Sequence, residues 1–385
     1  MARINALAAL VALVLATTTT TAAAAEQPPI LIGRLGSLTS PVSSLSTKAL
    51  AEGFDTYVKR VNAAGGVRGR QLRVLFEEDG FQPGQTVAAA RKLVEQDHVV
   101  VLLSTQGTPS TQAVIQDGLL ARNAVALLGP NTGVSAVLGA PNVFPVRATY
   151  EQEVVAVTRH MVNLQQRRVA YLHFNAAQGP AFGETFRRAV AEAGLQPVGS
   201  FGYDVLAQPA EQEAAIRRAA LQVRAAKPDA VFVFAVGATL PAAMRILHEV
   251  NGRAVARYTF SVNQWDVLAR QLGADARGIV ISQAVPSPYG AARRIALDYR
   301  RDLQALSPGL QPSFLGLEGY LLARILVEGL RRAEGPITPR SLLAALDGLG
   351  RHDLGDYVVN FSRERRFVES AAEVSMIGAA GALIK

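Results

Sequence analysis

Val99-Val100-Val101-Leu102-Leu103-Ser104-Thr105-Gln106-Gly107-Thr108-Pro109-Ser110 sets a wholly apolar run against a turn of small and hydroxyl residues, and Val125 to Gly133 (VALLGPNTG) repeats the pattern. An apolar run this short, bounded by turn residues, is a strand buried on both faces. Working outward, Ile30-Leu31-Ile32 and Leu72 to Phe76 read as further strands. Helices are expected between them. One carries Leu50, Phe54, Tyr57, Val58 and Val61 at helical spacing and stops at Asn62-Ala63-Ala64-Gly65-Gly66. The others run over Thr86–Gln96 and Thr111–Arg122. Strands alternating with helices predict a parallel sheet covered on both faces.

The alternation then restarts. Val169–Phe174, Pro197–Tyr203, Ala230–Ala235, Tyr258–Ser261 and Ile279–Ser282 read as strands, with helices near Phe182–Ala193, Glu213–Ala225 and Leu240–Val250. The last hundred residues offer long helices, Tyr289–Leu306 and Phe314–Ala333. A shorter one follows, with Thr338 as N-cap, Pro339 at N1, and Leu342, Leu343 and Leu346 inward. A hairpin-like stretch, Tyr357–Phe361 with Val374–Ile377, closes the chain. These pieces complete two α/β units, so the chain is expected to cross between them more than once, as in a hinged clamp.

Composition narrows the class. Arg3, the apolar run Ala6–Ala16, five threonines and Ala22–Ala25 have the order of a secretory signal peptide cut after Ala25. The apolar run is shorter than the roughly 20 residues that span a bilayer. The 385 residues contain no cysteine, hence no disulfide and no lipid-attachment cysteine, and an exported chain of this kind relies on its packed core. Net charge is +8, or +7 once Arg3 leaves, but the arginines lie in scattered pairs such as Arg217-Arg218, Arg293-Arg294 and Arg331-Arg332, as on a solvated surface rather than a nucleic-acid tract. The histidines (His98, His160, His173, His248, His352) show no metal-ligand spacing, and no nucleophile elbow, P-loop or dinucleotide fingerprint stands in the right context. Glu77-Glu78-Asp79 reads as an acidic strand end, and Trp265 as either a cleft residue or a loop anchor. No enzyme, cofactor or metal is expected.

The ordered set Gly53-Phe54, Val61-Asn62-Ala63-Ala64-Gly65-Gly66-Val67-Arg68-Gly69-Arg70, Glu78-Asp79 and Arg91-Lys92-Leu93-Val94, with Asn142-Val143-Phe144-Pro145-Val146-Arg147 and Phe314 to Tyr320 (FLGLEGY), resembles the leucine/isoleucine/valine-binding family of type I periplasmic binding proteins. The likeness covers essentially all of the mature chain. It implies two Rossmann-like lobes joined by a multi-strand hinge with the ligand cleft between them. The expected division is 26–147 plus 283–352 for the N-terminal lobe and 148–282 plus 353–385 for the C-terminal lobe. It also implies a monomer, capture of an amino acid or related small carboxylate or amide for an ABC permease of the inner membrane, and no catalysis. The alternative is a sensor that uses the same clamp to report ligand to a membrane receptor or regulator.

By position, the resemblance puts ligand on two loops of the first lobe, Ser104–Ser110 and Gly129–Gly133. The residues concerned are Gln106, Gly107, Thr108, Pro130, Asn131 and Thr132, with Thr108 and Thr132 as first choices for a carboxylate or polar head. Both loops leave the carboxyl ends of parallel strands, where open α/β sheets bind ligand, and helix starts there attract anions; equally, both threonines read as ordinary helix caps. Phe182, Ala238 and Thr239 match closing positions of the second lobe, although Phe182 alone reads equally as core. Ser46 stands where leucine-binding relatives have a tyrosine, and Asn263 near their ammonium-binding glutamate, with Asp266 as the substitute acid. Tyr150 and Arg147 fall at the first crossover and are read as hinge structure.

Overall fold

The computed structural model describes residues 27–175, 178–370 and 372–384; the signal-peptide segment lies outside the described residues. The first unit runs β1 (Ile30–Gly36), α1 (Ser44–Ala63), β2 (Leu72–Glu78), α2 (Pro83–Arg91), β3 (Val101–Leu103), α3 (Thr108–Gln116), α4 (Leu119–Arg122), β4 (Ala126–Leu128), α5 (Ser135–Leu138) and β5 (Val143–Phe144). All five strands are parallel, in the order β2-β1-β3-β4-β5. The helix expected over Thr111–Arg122 begins earlier, at Thr108, and breaks at Gly118, whose φ of 76° is left-handed. Glycine reaches that region without the Cβ clash other residues meet.

The second unit runs α6 (Tyr150–Asn163), β6 (Arg168–Phe174), α7 (Gln178–Glu192), β7 (Gln196–Tyr203), α8 (Pro209–Ala225), β8 (Ala230–Phe234), α9 (Thr239–Asn251), β9 (Ala256–Thr259), α10 (Trp265–Leu272) and β10 (Ile279–Gln283). The chain continues through α11 (Arg294–Leu306), α12 (Phe314–Arg332), α13 (Pro339–Asp347), β11 (Gly350–Asp353), β12 (Val358–Phe361), β13 (Arg366–Val368), β14 (Glu373–Ile377) and β15 (Leu383–Ile384). The second sheet has the order β15-β14-β10-β9-β8-β6-β7, with β6 to β10 parallel and β14 and β15 antiparallel at one edge. Two α/β lobes are therefore present, crossed by the chain after β5, after β10 and after β13.

Three tail expectations are corrected. Tyr357–Phe361 and Val374–Ile377 form no hairpin: β12 pairs with β11 and β13 in a small antiparallel sheet, whereas β14 joins β10. Leu354, Tyr357, Val359, Phe361 and Val368 pack into the core of the first sheet with Ile32, Val101 and Leu128, so the stretch 353–368, assigned from sequence to the C-terminal lobe, sits with the first. Alternating apolar residues show that a strand is half-buried, not which sheet buries it. The helix expected from Tyr289 starts at Arg294. The short helix α13 is as read, with Thr338 accepting from the Ser341 amide at 3.1 Å and Pro339 at N1.

The first lobe is held by an unusually close contact between α1 and α12. A Cβ on Gly53 would stand 1.7 Å from the Gly316 carbonyl oxygen, and one on Gly319 2.0 Å from that of Leu50. Only glycine permits backbones to meet this way. Ser46 is on α1, so this contact also sets one wall of the region considered next. No helix among the described residues is long and apolar enough to cross a membrane.

Candidate functional site

Each loop at the carboxyl ends of β3 and β4 turns through a left-handed residue, Ser104 (φ 59°) and Gly129 (φ 64°). The turns bring the loops side by side. The Asn131 amide N–H donates to the Thr105 carbonyl at 2.8 Å, and that of Gly107 to the Asn131 carbonyl at 3.2 Å. The sheet pairing thus extends one step past the strands, and Gln106 comes to face Asn131. The Thr108 and Thr132 hydroxyls meet at 2.8 Å. Pro130 lies between Gly129 and Asn131 on the buried second loop.

Side chains extend the contact. Gln106 Oε1 accepts from Asn131 Nδ2 at 2.9 Å and from the Ser46 hydroxyl at 3.1 Å, while Gln106 Nε2 donates to the Ser104 carbonyl at 3.0 Å. The structure therefore brings Ser46, Gln106, Gly107, Thr108, Asn131 and Thr132 into one cluster. Sequence reasoning missed two neighbours on the same end of α1: Ser43 Oγ and Thr47 Oγ1 are buried without a hydrogen-bond partner. An unmade buried hydrogen bond costs about 1–3 kcal/mol, so these two hydroxyls are polar groups that the fold leaves unpaired beside the cluster. The only sequence signal was the run of hydroxyl residues from Ser40 to Thr47.

Arg147 is the largest fully buried side chain, 1% exposed, and it donates to Asn131 Oδ1 of the second loop and to the Ser261 hydroxyl of the other lobe. Glu153 and Glu318 each approach it at 3.9 Å. Burial opposes the guanidinium charge, but the two carboxylates outweigh it and hold its pKa above the ordinary arginine value. Burial pushes the Glu318 carboxyl up, with Arg147 opposing. Glu153 also accepts from the Ser261 amide at 2.9 Å and from the Ser282 hydroxyl at 2.5 Å, so its carboxylate is already engaged within the second lobe.

Tyr150, the first residue of α6, joins the lobes beside Arg147. Its amide donates to the Gly133 carbonyl at 2.7 Å and its ring covers Gly133 so closely that a Cβ there would be 2.3 Å away. Burial pushes its phenol up to about 12, with Arg147 pulling the other way. On the other side it meets Phe182, Phe234 and Phe260 edge-on, with ring centroids at 5.5, 6.3 and 5.2 Å. Phe182 itself stacks on Phe234 at 4.6 Å and is 7% exposed, which makes it a member of the second-lobe core.

The remaining second-lobe candidates divide. A Cβ on Gly237 would stand 3.7 Å from Val42, so the loop carrying Ala238 and Thr239 faces the start of α1 across the lobes. Thr239 donates to the Val236 carbonyl at 2.9 Å. Asn263 is turned back into its own lobe, donating to the Ala235 carbonyl and the Thr259 hydroxyl, both at 3.1 Å. Asp266 lies apart. It accepts from Arg270 at 2.8 Å and borders a separate groove of about 690 Å³ with Arg253 and Arg277. The substitute role considered for it meets an existing cation.

Two α/β lobes, crossed three times and carrying paired loops at the carboxyl ends of first-lobe strands, define a type I periplasmic binding protein of the leucine/isoleucine/valine type. The chain belongs to the periplasmic binding protein family, whose model matches residues 29–382. It is 30% identical over 173 residues to Leu/Ile/Val-binding protein homolog 3 of Brucella melitensis; the alignment covers 44% of this chain and about half, 46%, of that relative. It is 22% identical over 349 residues to an amino acid binding protein of Pseudomonas aeruginosa, covering 83% of this chain and 85% of the relative. The extracellular ligand-binding receptor of Verminephrobacter eiseniae superposes with a TM-score of 0.84 at 23% identity, covering 93% of this chain and 100% of that one, a likeness of fold.

Proposed function

We propose that this chain is the substrate-binding component of an ABC importer, exported to the periplasm by its N-terminal segment and working there as a monomer. It captures an amino acid or a related small carboxylate or amide by closure of the lobes, hands it to a permease of the inner membrane, and turns nothing over. The observation that carries this reading is the zipped pair of loops, Gln106–Thr108 against Asn131–Thr132, at the carboxyl ends of β3 and β4. It is the edge at which open parallel sheets bind small molecules. Ser46 extends this wall from the first lobe. The loop at Ala238 and Thr239, with Phe182 behind it and Asn263 nearby, closes from the second.

A thermal-shift screen of residues 26–385 against amino acids, aromatic acids, short-chain acids and amides tests the reading. A ligand specific for the folded state, present at 100 times its Kd, adds about 2.7 kcal/mol. A stabilising hit recovered unchanged after incubation, with a more compact scattering profile, is the expected result. Silence across the panel, or conversion of the hit, would overturn it.

A further inference from the structure

Trp265, the chain's only tryptophan, opens α10 and stands where two hollows meet. One, of about 310 Å³, is bounded by Trp265, Ser287, Tyr289, Gly290 and Leu383. The other is the groove of about 690 Å³ that runs along α10 from Trp265 past Arg270 and is bounded also by Arg253 and Arg277. Each volume falls in the span usual for small-molecule sites, about 300–1,000 Å³. Among the described residues, neither lining includes one from the loops after β3 and β4.

The smaller hollow offers mostly apolar surface. The Trp265 indole N–H is engaged, donating to the Tyr289 hydroxyl at 3.2 Å, and the two rings meet edge-on with centroids 6.0 Å apart. Ser287 Oγ accepts from the Tyr289 amide at 3.4 Å. The indole, the phenol ring and Leu383 are left as a lining suited to a flat hydrocarbon.

The groove is cationic. Arg270 is paired with Asp266 at 2.8 Å. Arg253 and Arg277 are exposed, and among the described residues neither guanidinium makes a hydrogen bond or an ion pair. Three arginines against one aspartate leave the lining at +2. Behind it, Arg257 is 5% exposed and donates to the backbone carbonyls of Met244 at 3.0 Å, Asp275 at 2.7 Å and Arg277 at 3.2 Å. It therefore fixes the segment that carries Arg277. Burial lowers the Arg257 pKa to about 10; Asp275 opposes, and the charge of Arg253 pushes it further down. An anion in the groove would relieve that crowding of cations. Free guanidinium forks suit a carboxylate, which they can bind through two parallel N–H donors.

We propose that these joined hollows form a second solute site, separate from the inter-lobe cleft and independent of what the cleft binds. It takes an elongated aromatic carboxylate, its ring against Trp265 and Tyr289 and its acid group on Arg253 and Arg277. The length follows from α10, whose turns between the two ends span roughly 12 Å.

Titration of residues 26–385 with biphenyl-4-carboxylate tests this, read by calorimetry and by the emission of Trp265, which no other tryptophan overlays. Saturable binding that changes this emission is expected, with benzoate and 4-phenylbenzylamine at least tenfold weaker. Arg253→Gln combined with Arg277→Gln should weaken the biphenyl acid at least tenfold and leave the melting temperature unchanged, since neither side chain bonds to the protein. Thr132→Val, a change in the cleft, should leave this affinity within about twofold. Should the double variant not fold, salt decides: raising ionic strength from about 0.05 to about 0.5 M should weaken the biphenyl acid at least threefold. No saturable binding, benzoate or the amine binding as well as the biphenyl acid, or an affinity indifferent to the arginine pair or to salt would overturn the proposal. So would an affinity lost in Thr132→Val, which would put the probe in the cleft.

Discussion

Thr108 and Thr132 stand on different loops and share one hydrogen bond, their hydroxyl oxygens 2.8 Å apart. Thr132 also accepts from the Val134 amide at 3.3 Å. The pair adds a second side-chain contact between the two strand-end loops, beside that of Asn131 with Gln106. Replacing Thr132 by valine keeps the shape and removes the hydroxyl. Losing one such bond to a bound polar group costs about 1–3 kcal/mol, roughly ten- to hundredfold in Kd. Titration of the screening hit against the variant checks this, with melting temperature expected to fall far less than affinity.

Asp266 gives the opposite expectation. It pairs with Arg270 across one helical turn and borders a groove away from the loops. An exposed pair of this type contributes about 0.3–0.5 kcal/mol. Asp266→Ala is expected to leave the affinity for the hit within about twofold, a difference well under 1 kcal/mol. A large loss would place Asp266 at the ligand.

Gly53 and Gly319 make the backbone contact between α1 and α12. A methyl group on either would enter the space of a carbonyl oxygen. Overpacking of this kind costs about 1–3 kcal/mol or more. Chemical denaturation of Gly53→Ala should show that loss, where helix propensity alone predicts a gain of roughly 1 kcal/mol. The sign of the change separates the two.

Asp302 governs acid stability where α11, α1 and α12 meet. Burial would raise its pKa, but hydrogen bonds from Tyr320 at 2.6 Å and Arg60 at 2.7 Å prevail and hold it below the ordinary value of 3.8. A carboxylate with a lowered folded-state pKa stabilises fully above its unfolded value, and the contribution disappears as pH falls through the folded one. Asp302→Asn should therefore be less stable than wild type at pH 7. The gap should close below pH 3.8. Denaturant midpoints across that range measure it.

The lobes themselves were legible because apolar runs such as Val99–Leu103 and Ala230–Ala235 have one reading, a strand covered on both sides. The loops after them followed from that. Less was legible where a residue's neighbour is remote in sequence. Tyr357–Phe361 alternates like any half-buried strand, and only the folded chain shows it bonded to the first crossover, where the Tyr357 hydroxyl donates to the Val146 carbonyl at 2.7 Å. Arg147 read as hinge because its partners, Asn131, Ser261, Glu153 and Glu318, are scattered over 188 positions of the sequence, from 131 to 318. The helix α6 went unread, although Thr149 and Gln152 form a capping box at its start. That signal lies beside the crossover, where turn and helix start share the same residues.

The backbone contact of α1 with α12 bears on more than folding. Ser46 is carried on a helix whose freedom to slide or roll has been removed before any solute arrives. Ordering the wall it belongs to is therefore completed when the polypeptide first collapses, and encounter with a small molecule need not repeat it. Rigidity obtained in that way is a source of affinity that adds no contact to the ligand.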